Sequence, residues 1–185
     1  MKPLPRKFYT EDTVTVAKEL LGKMLVRQIG GKTVSGIITE TEAYRFNDDP
    51  ASHAFRGMTE RNKAMFGEVG RAYVYFTYGM YYCVNAVARN DSFDAGAVLI
   101  RAIKPMEGLR FMIKNRKNKK IEELTNGPAK LTQALRITKK QYGADLTKNS
   151  ELFILDLQND CKIFSSQRIG IRNGLDKKWN FRIKL

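Results

Sequence analysis

Cysteine, histidine and long apolar runs are scarce in this chain of 185 residues. Its two cysteines, Cys83 and Cys161, lie far apart, which gives neither a disulfide framework nor the paired spacing of a zinc site. No run of about 18 apolar residues occurs, and the basic N-terminus leads into no apolar segment, so the sequence predicts neither a membrane span nor a secretion signal. We therefore expect a protein of the reducing cytoplasm, including the bacterial nucleoid, or of a nucleus.

Acidic residues are also in short supply. The chain has 33 Lys and Arg against 19 Asp and Glu, a net charge of +14, which points to a polyanionic partner. Hydrophobic residues make up 43% of the chain, enough for a packed core, and this excludes a disordered basic tail. The length suits one domain covering residues 1–185.

Periodicity and turn residues predict an α+β fold. Helices are predicted over residues 11–21 with Thr10 as N-cap, over 106–114, and from the Gly127-Pro128 pair onwards, with a short helix starting at Thr59 in the long loop 47–70. Strands are predicted over residues 24–28, 32–44, 97–103, 152–155, 168–171 and 181–185, with two more inside 72–88. Pro105 is interpreted as the end of its strand, and the basic tract 114–120 as a solvated loop.

The segment ETEAYRFNDDPASH, residues 40–53, carries the densest functional chemistry. On a strand, Glu40, Glu42 and Tyr44 share one face, so two carboxylates and a phenol line one surface. A solvent-facing polar stripe is the competing interpretation. The only histidine of the chain, His53, ends this segment, although a lone histidine often has a structural role.

Aromatic residues are concentrated in the next segment, where tyrosine outnumbers phenylalanine. The ten positions hold Tyr73, Tyr75, Phe76, Tyr78, Tyr81 and Tyr82. A dry core would leave many hydroxyl groups without partners, so we predict a wet aromatic wall able to stack on a planar base, against the alternative of an aromatic β-core.

Two polar residues interrupt apolar strands. Arg101 lies within VLIRAI and needs a carboxylate partner if it is buried, for which Glu40 and Glu42 are both candidates; a strand-edge arginine in solvent is the alternative. Asn85 lies within CVNAVA, where it can satisfy backbone groups rather than contact a ligand.

Several ordered blocks together resemble a known family. The blocks ETEAY, SHAFRGMTERNKAMFG, AYVYFTYGMYYCVN, VLIRAIKPMEG and NGPAKLTQAL resemble the alkyladenine family of 3-methyladenine DNA glycosylases, over residues from about 17 to 181. The resemblance implies a monomeric, monofunctional base-excision enzyme that flips alkylated purines from double-stranded DNA and hydrolyses the glycosidic bond. It implies an α+β domain around a curved antiparallel sheet, with no metal and no cofactor. Whether deaminated purines are also substrates stays open.

The resemblance also assigns roles to residues. Glu42 matches the glutamate that activates the attacking water, which Arg101 and the backbone carbonyl of Ile169 help to hold. The remaining matches are substrate-binding residues and a DNA-intercalating wedge: Tyr44, Ala51, His53, Tyr73, Tyr75 and Asn85 for the pocket, and Tyr78 for the wedge. Among these, Asn85 is expected to exclude guanine-type bases.

Two other classes of function use the same residues. A divalent-metal nuclease would use Glu40, Glu42, Asp48, Asp49 and His53 as ligands. A non-catalytic nucleic-acid-binding module would use the charge and the aromatic residues without releasing a base.

Overall fold

Eight antiparallel strands form one curled sheet in the computed structural model, which describes residues 1–117, 119–158 and 161–184. The strands are β1 (Met24–Ile29), β2 (Lys32–Arg45), β3 (Ala72–Thr77), β4 (Tyr81–Val87), β5 (Gly96–Glu107), β6 (Leu152–Leu155), β7 (Phe164–Ser166) and β8 (Asn180–Arg182). The α-helices are α1 (Thr13–Glu19), α2 (Leu109–Asn115) and α3 (Pro128–Leu135). The predicted α+β class with an antiparallel sheet is confirmed.

Strand β2 organises the sheet. The main strand order is β3-β4-β5-β2-β1-β6, and β8 pairs with both β2 and β7. Because β2 is long, its first half pairs with β1 while residues 40–42 pair with β8, and β5 follows its other edge. The hairpin between β1 and β2 turns at Gly30 and Gly31, which both have positive φ, as the sequence predicts.

The two faces of the sheet have different tasks. One face carries small and aliphatic side chains such as Val84, Val98 and Ile100, which pack into the main core with residues of α1 and α3. The opposite face of β2 to β5 carries the polar and aromatic residues. Alternation along each strand therefore separates the core from the surface that forms the candidate site.

Several predicted boundaries are wrong, each for a local reason. Helix α1 is capped by Asp12, whose carboxylate accepts the N–H of Val14 at 2.9 Å, whereas the Thr10 hydroxyl donates to Lys7 and closes a short 3-10 helix over Arg6–Thr10. The short helix predicted to start at Thr59 is a 3-10 helix over Lys63–Phe66.

Strand β5 continues beyond Pro105. Pro105 lies opposite Gly36, where the register of β2 and β5 shifts, and a strand tolerates proline at such an irregular position. The helix predicted over residues 106–114 consequently starts later, at Leu109, after Gly108 in a left-handed conformation.

The C-terminal strands also differ from the prediction. Residues 168–171 form no strand, because Arg168 enters a buried ion pair and Gly170 adopts a φ of +76°. The strand predicted over 181–185 is found at Asn180–Arg182, and Leu185 lies outside the described residues, as does Asn118 of the basic tract. Within the described ranges, every helix is too short or too polar to span a bilayer.

Candidate active site

A cavity of about 490 Å³ opens on the polar and aromatic face of β2 to β5. The sheet contributes alternate residues from each strand, and two loops after β2 and β7 close the sides. Nine of the ten predicted site residues line the cavity: Tyr44, Ala51, His53, Tyr73, Tyr75, Tyr78, Asn85, Arg101 and Ile169. Its volume lies in the range of small-molecule pockets.

The tenth predicted residue, Glu42, is fully buried beside this cavity, with 0% of its surface exposed. Four groups donate hydrogen bonds to its carboxylate. Oε1 accepts from the Ile169 N–H at 2.7 Å and from Asn180 Nδ2 at 3.1 Å. Oε2 accepts from the Tyr44 hydroxyl at 2.8 Å and from Arg101 Nη1 at 3.1 Å. These donors match the four acceptor sites of an ionised carboxylate.

Glu42 and its neighbours come together through strand pairing. Strand β5 lies on one side of Glu42 and β8 on the other, opposite Leu99 and Asn180 respectively. Burial, followed by the charge of Glu42, raises the pKa of Tyr44, so this phenol keeps the proton that it donates.

Arg101 contacts both candidate carboxylates. Its Nη1 is 3.1 Å from Glu42 and its Nε is 3.4 Å from Oε1 of Glu40. Both candidate partners of Arg101 are therefore found, and the alternative of a strand-edge arginine in solvent is wrong because Arg101 is buried. The strand face shared by Glu40, Glu42 and Tyr44 is confirmed.

An aromatic wall forms the opposite side of the cavity. The rings of His53 and Tyr75 meet edge to face with centroids 4.7 Å apart, and His53 Nδ1 lies 3.0 Å from the Tyr73 hydroxyl. Partial desolvation among these rings, and then the charge of Arg61, lower the pKa of His53. A neutral imidazole is therefore favoured beside the two phenols.

A buried ion pair joins the two loops of the cavity. Arg168 donates to both carboxylate oxygens of Asp49 at 2.6 Å, and both side chains are fully buried. Asp49 also accepts the N–H of Ala51 at 3.2 Å, while the Arg168 guanidinium lies 4.7 Å from the centre of the Tyr44 ring. The pair thus fixes the loop before His53 against the segment that carries Ile169.

Asn85 both satisfies a backbone group and borders the cavity, the two roles considered for it from the sequence. Its Nδ2 donates to the backbone carbonyl of Tyr73 on the paired strand at 2.9 Å, and the residue also lines the cavity. The amide nitrogen is therefore held in place by the sheet while the side chain borders the space available to a ligand.

Sequence reasoning missed several residues of the site. Asn180 follows Trp179 near the end of the chain, and no motif marks it; only the pairing of β8 with β2 brings it to Glu42. Arg61 lines the cavity with its guanidinium 5.4 Å from the Tyr75 ring centre, and Cys83 lines it opposite Tyr75 on the neighbouring strand. Their only signal was membership of the family blocks.

The carboxylates considered for a metal site are instead paired with arginines. Asp48 pairs with Arg45, and Asp49 pairs with Arg168. Glu40 and Glu42 both face Arg101. In the part of the chain that the structure describes, no three His, Cys, Asp or Glu side chains gather as a metal site. This arrangement does not favour the metal-nuclease interpretation.

Comparison with known proteins gives one family over nearly the whole chain. The sequence model of the methylpurine-DNA glycosylase family matches residues 7–185. A protein of Carboxydothermus hydrogenoformans is 48% identical over 183 residues, covering 98% of this chain and 95% of its own. One of Clostridium acetobutylicum is 44% identical over 194 residues, covering 98% and 94%, and one of Methanocella arvoryzae is 48% identical over 172 residues, covering 92% and 86%. All three carry the name of 3-methyladenine DNA glycosylase.

Proposed function

Because the chain belongs to the methylpurine-DNA glycosylase family, we propose that it removes alkylated purines from double-stranded DNA as the first step of base excision repair. In this proposal the enzyme flips the damaged nucleotide into the aromatic cavity, hydrolyses the N-glycosidic bond and leaves an abasic site. The observation that carries the proposal is the buried carboxylate of Glu42, held by four donors at the wall of an aromatic cavity.

Glu42 is proposed as the general base. Three of its four partners, Tyr44, Arg101 and Ile169, line the cavity. Because protein donors fill the acceptor sites of the carboxylate, we expect the attacking water to displace one of these three donors and to donate to Glu42 in its place, with the Ile169 carbonyl as a further acceptor. As the base departs, the sugar acquires oxocarbenium character, and the negative charge of Glu42 stabilises it. None of the lysines that the structure describes lines the cavity, so none of them is placed to form a Schiff base with the sugar. This supports a monofunctional hydrolase.

The aromatic wall is proposed to select the base. Alkylation at a ring nitrogen makes a purine cationic, and a cation stacks on Tyr44 and Tyr75 better than a neutral purine does. The neutral imidazole of His53 adds no charge that would repel such a base. Ala51, Tyr73 and Asn85 complete the pocket, and Asn85 is proposed to exclude guanine-type bases.

Uncharged lesions test how far this selection extends. A deaminated purine such as hypoxanthine has no cationic advantage and is a poorer leaving group, so we propose that its excision depends more strongly on Glu42 and on the flipping equilibrium. Tyr78, at the tip of the β3–β4 hairpin, is proposed to fill the space that the flipped nucleotide leaves in the duplex.

The remaining proposals concern the molecule as a whole. The main core cluster contains buried residues from Leu4 to Ile183, and Val69 and Tyr142 connect it to a smaller cluster around Met65 and Tyr73. This continuity supports a single glycosylase domain over residues 1–185. We propose that the protein acts as a monomer, as the family resemblance implies. A genomic DNA substrate would place the protein in the bacterial nucleoid or a nucleus.

A Glu42→Gln variant tests the function. With protein in excess over a methylated duplex that carries 3-methyladenine, we expect the wild type to release the free base and the variant to release it about 10²- to 10⁴-fold more slowly. Binding to the same duplex should be retained. Because a glutamine NH₂ would face donors in this site, thermal unfolding must show that the variant is folded at the assay temperature.

Two results would contradict the proposal. A wild-type protein that releases no alkylated base would overturn the function, and a near-normal rate for Glu42→Gln would remove Glu42 from the role of base. Glu151→Gln is the matched control, because Glu151 pairs with buried Arg27 rather than with a cavity residue.

A further inference from the structure

A second carboxylate, Glu40, contacts two of the side chains that also contact Glu42, namely Asn180 and Arg101. Glu40 Oε1 accepts from Asn180 Nδ2 at 2.7 Å, and the same nitrogen donates to Glu42 at 3.1 Å. Arg101 likewise faces both carboxylates, at 3.4 and 3.1 Å. Only 14% of the Glu40 side chain is exposed, so this second carboxylate is held in a largely desolvated place.

The orientation of Asn180 is fixed by a further contact. Its Oδ1 accepts a hydrogen bond from the Ser166 hydroxyl at 3.1 Å, and the residue is fully buried. The amide nitrogen, which has two N–H donors, therefore points to the two glutamates and offers one donor to each. Strands β2, β7 and β8 together build this arrangement.

The cluster has an excess of negative charge. Asn180 is neutral, so the two carboxylates face one guanidinium. Two other charged groups adjoin the cluster. The charge of Arg168 is matched by Asp49, and Arg182 lies opposite Glu40 on β8 but is exposed to solvent and donates to Ser166, so solvent screens its charge. With Glu42 alone, the charge of Arg101 would cancel that of the carboxylate closest to the reaction.

We propose that Glu40 is a positioning residue that balances the charge of Arg101, so that the negative charge of Glu42 remains available to the sugar cation. This inference rests on the proposed function. Glu40 also accepts a hydrogen bond from Asn180 and lies within ion-pair distance of Arg101, and these two side chains supply two of the four donors on Glu42. It thus acts through its neighbours and needs no contact with the substrate.

Two substitutions separate the charge of Glu40 from its hydrogen bond to Asn180. Glu40→Gln keeps an acceptor for Asn180 but removes the charge, whereas Glu40→Asp keeps the charge on a shorter side chain. We expect Glu40→Gln to slow single-turnover release of 3-methyladenine by about 10- to 100-fold, the factor for one unit charge acting over several ångströms at an effective dielectric constant of about 20. Glu40→Asp should recover part of that loss, and DNA affinity should be unchanged in both.

A double-mutant cycle tests the link to Arg101. Because Glu40 is proposed to act by balancing that guanidinium, Glu40→Gln should cost much less in an Arg101→Gln background. The control is Glu151→Gln, which removes the carboxylate 2.9 Å from another buried arginine, Arg27, and should leave the rate unchanged.

The outcomes are distinct. An active wild type with Glu40→Gln equal to it, or a Glu40→Asp variant slower than Glu40→Gln, would overturn this inference while the proposed function stands. A wild type without base release would overturn the proposed function and this inference with it. Folding of each variant is checked by thermal unfolding and by its binding to the lesion duplex.

Discussion

Tyr78 combines a strained backbone with an exposed side chain. Its φ is +51° and 83% of its surface is exposed. Together with Gly79 it forms the centre of a turn closed by the Met80 N–H and the Thr77 carbonyl, 3.3 Å apart. A non-glycine residue in a left-handed conformation costs about 1–2 kcal/mol, and an exposed ring recovers none of it by packing. The residue is therefore better explained by contact with a partner than by the stability of the fold.

We expect Tyr78→Asn to separate stability from activity. Asparagine before glycine suits a turn with two positive φ values, so the free energy of unfolding should rise by up to about 1 kcal/mol. Loss of the proposed wedge should slow excision of a lesion in a matched pair more than in a mismatch, whose extrusion costs less. Urea unfolding and single-turnover excision in both contexts measure the two effects.

Tyr75→Ala provides the contrast for this prediction. Tyr75 lies in the aromatic wall, so its loss should slow both matched and mismatched substrates to a similar degree, by removing stacking worth about 1–3 kcal/mol. If Tyr78→Asn also slows both contexts equally, the wedge assignment is wrong.

At the scale of elements, alternation could be predicted from sequence but irregular pairing could not. The pattern over Glu40, Glu42 and Tyr44 indicated their shared face without any knowledge of the fold. The register of β2 and β5, however, shifts on both sides of Glu40, which leaves Thr39 and Arg101 without a paired residue. Such bulges bend strands and redirect side chains, and they depend on contacts between strands that periodicity does not record.

The ion pair of Asp49 and Arg168 depends on contacts between loops in the same way. The sequence predicts a strand that begins at Arg168. In the fold, Arg168 bridges two loops and also donates to the Ala43 carbonyl at 2.9 Å. Segments that are distant in sequence thus determine the local structure here, and no local pattern signals it.

We expect breaking this ion pair to be costly. Asp49→Asn leaves a buried guanidinium without its counter-charge, which should lower the free energy of unfolding by about 3–5 kcal/mol. Glu60→Gln, which breaks the exposed pair with Lys63, should leave the free energy of unfolding almost unchanged because solvent screens this pair. Urea unfolding of both variants makes the comparison, and equal small effects would show that the loops are held by other contacts.

At the scale of the whole molecule, the proposed site is assembled from all parts of the chain. Glu42, Arg101, Ile169 and Asn180 come from β2, β5, the loop after β7 and β8. Composition predicted a basic α+β protein, and ordered blocks indicated the family, but the meeting of these four residues follows only from the strand order. This is why Asn180 could not be identified in advance.

The net charge of +14 leads to the last prediction, which concerns DNA binding. Arg172 lines the cavity, and Arg110 does not. Arg110 lies on α2, whose preceding residue Gly108 contacts the start of β2, the end of that strand away from Tyr44. The logarithm of affinity for undamaged duplex should fall with the logarithm of salt concentration, with a slope of about −0.9 for each phosphate neutralised. Arg172→Ala should flatten that slope by about one phosphate contact and Arg110→Ala should not. Fluorescence anisotropy across a salt series measures both, and an affinity independent of salt would show that the charge of this protein does not serve DNA binding.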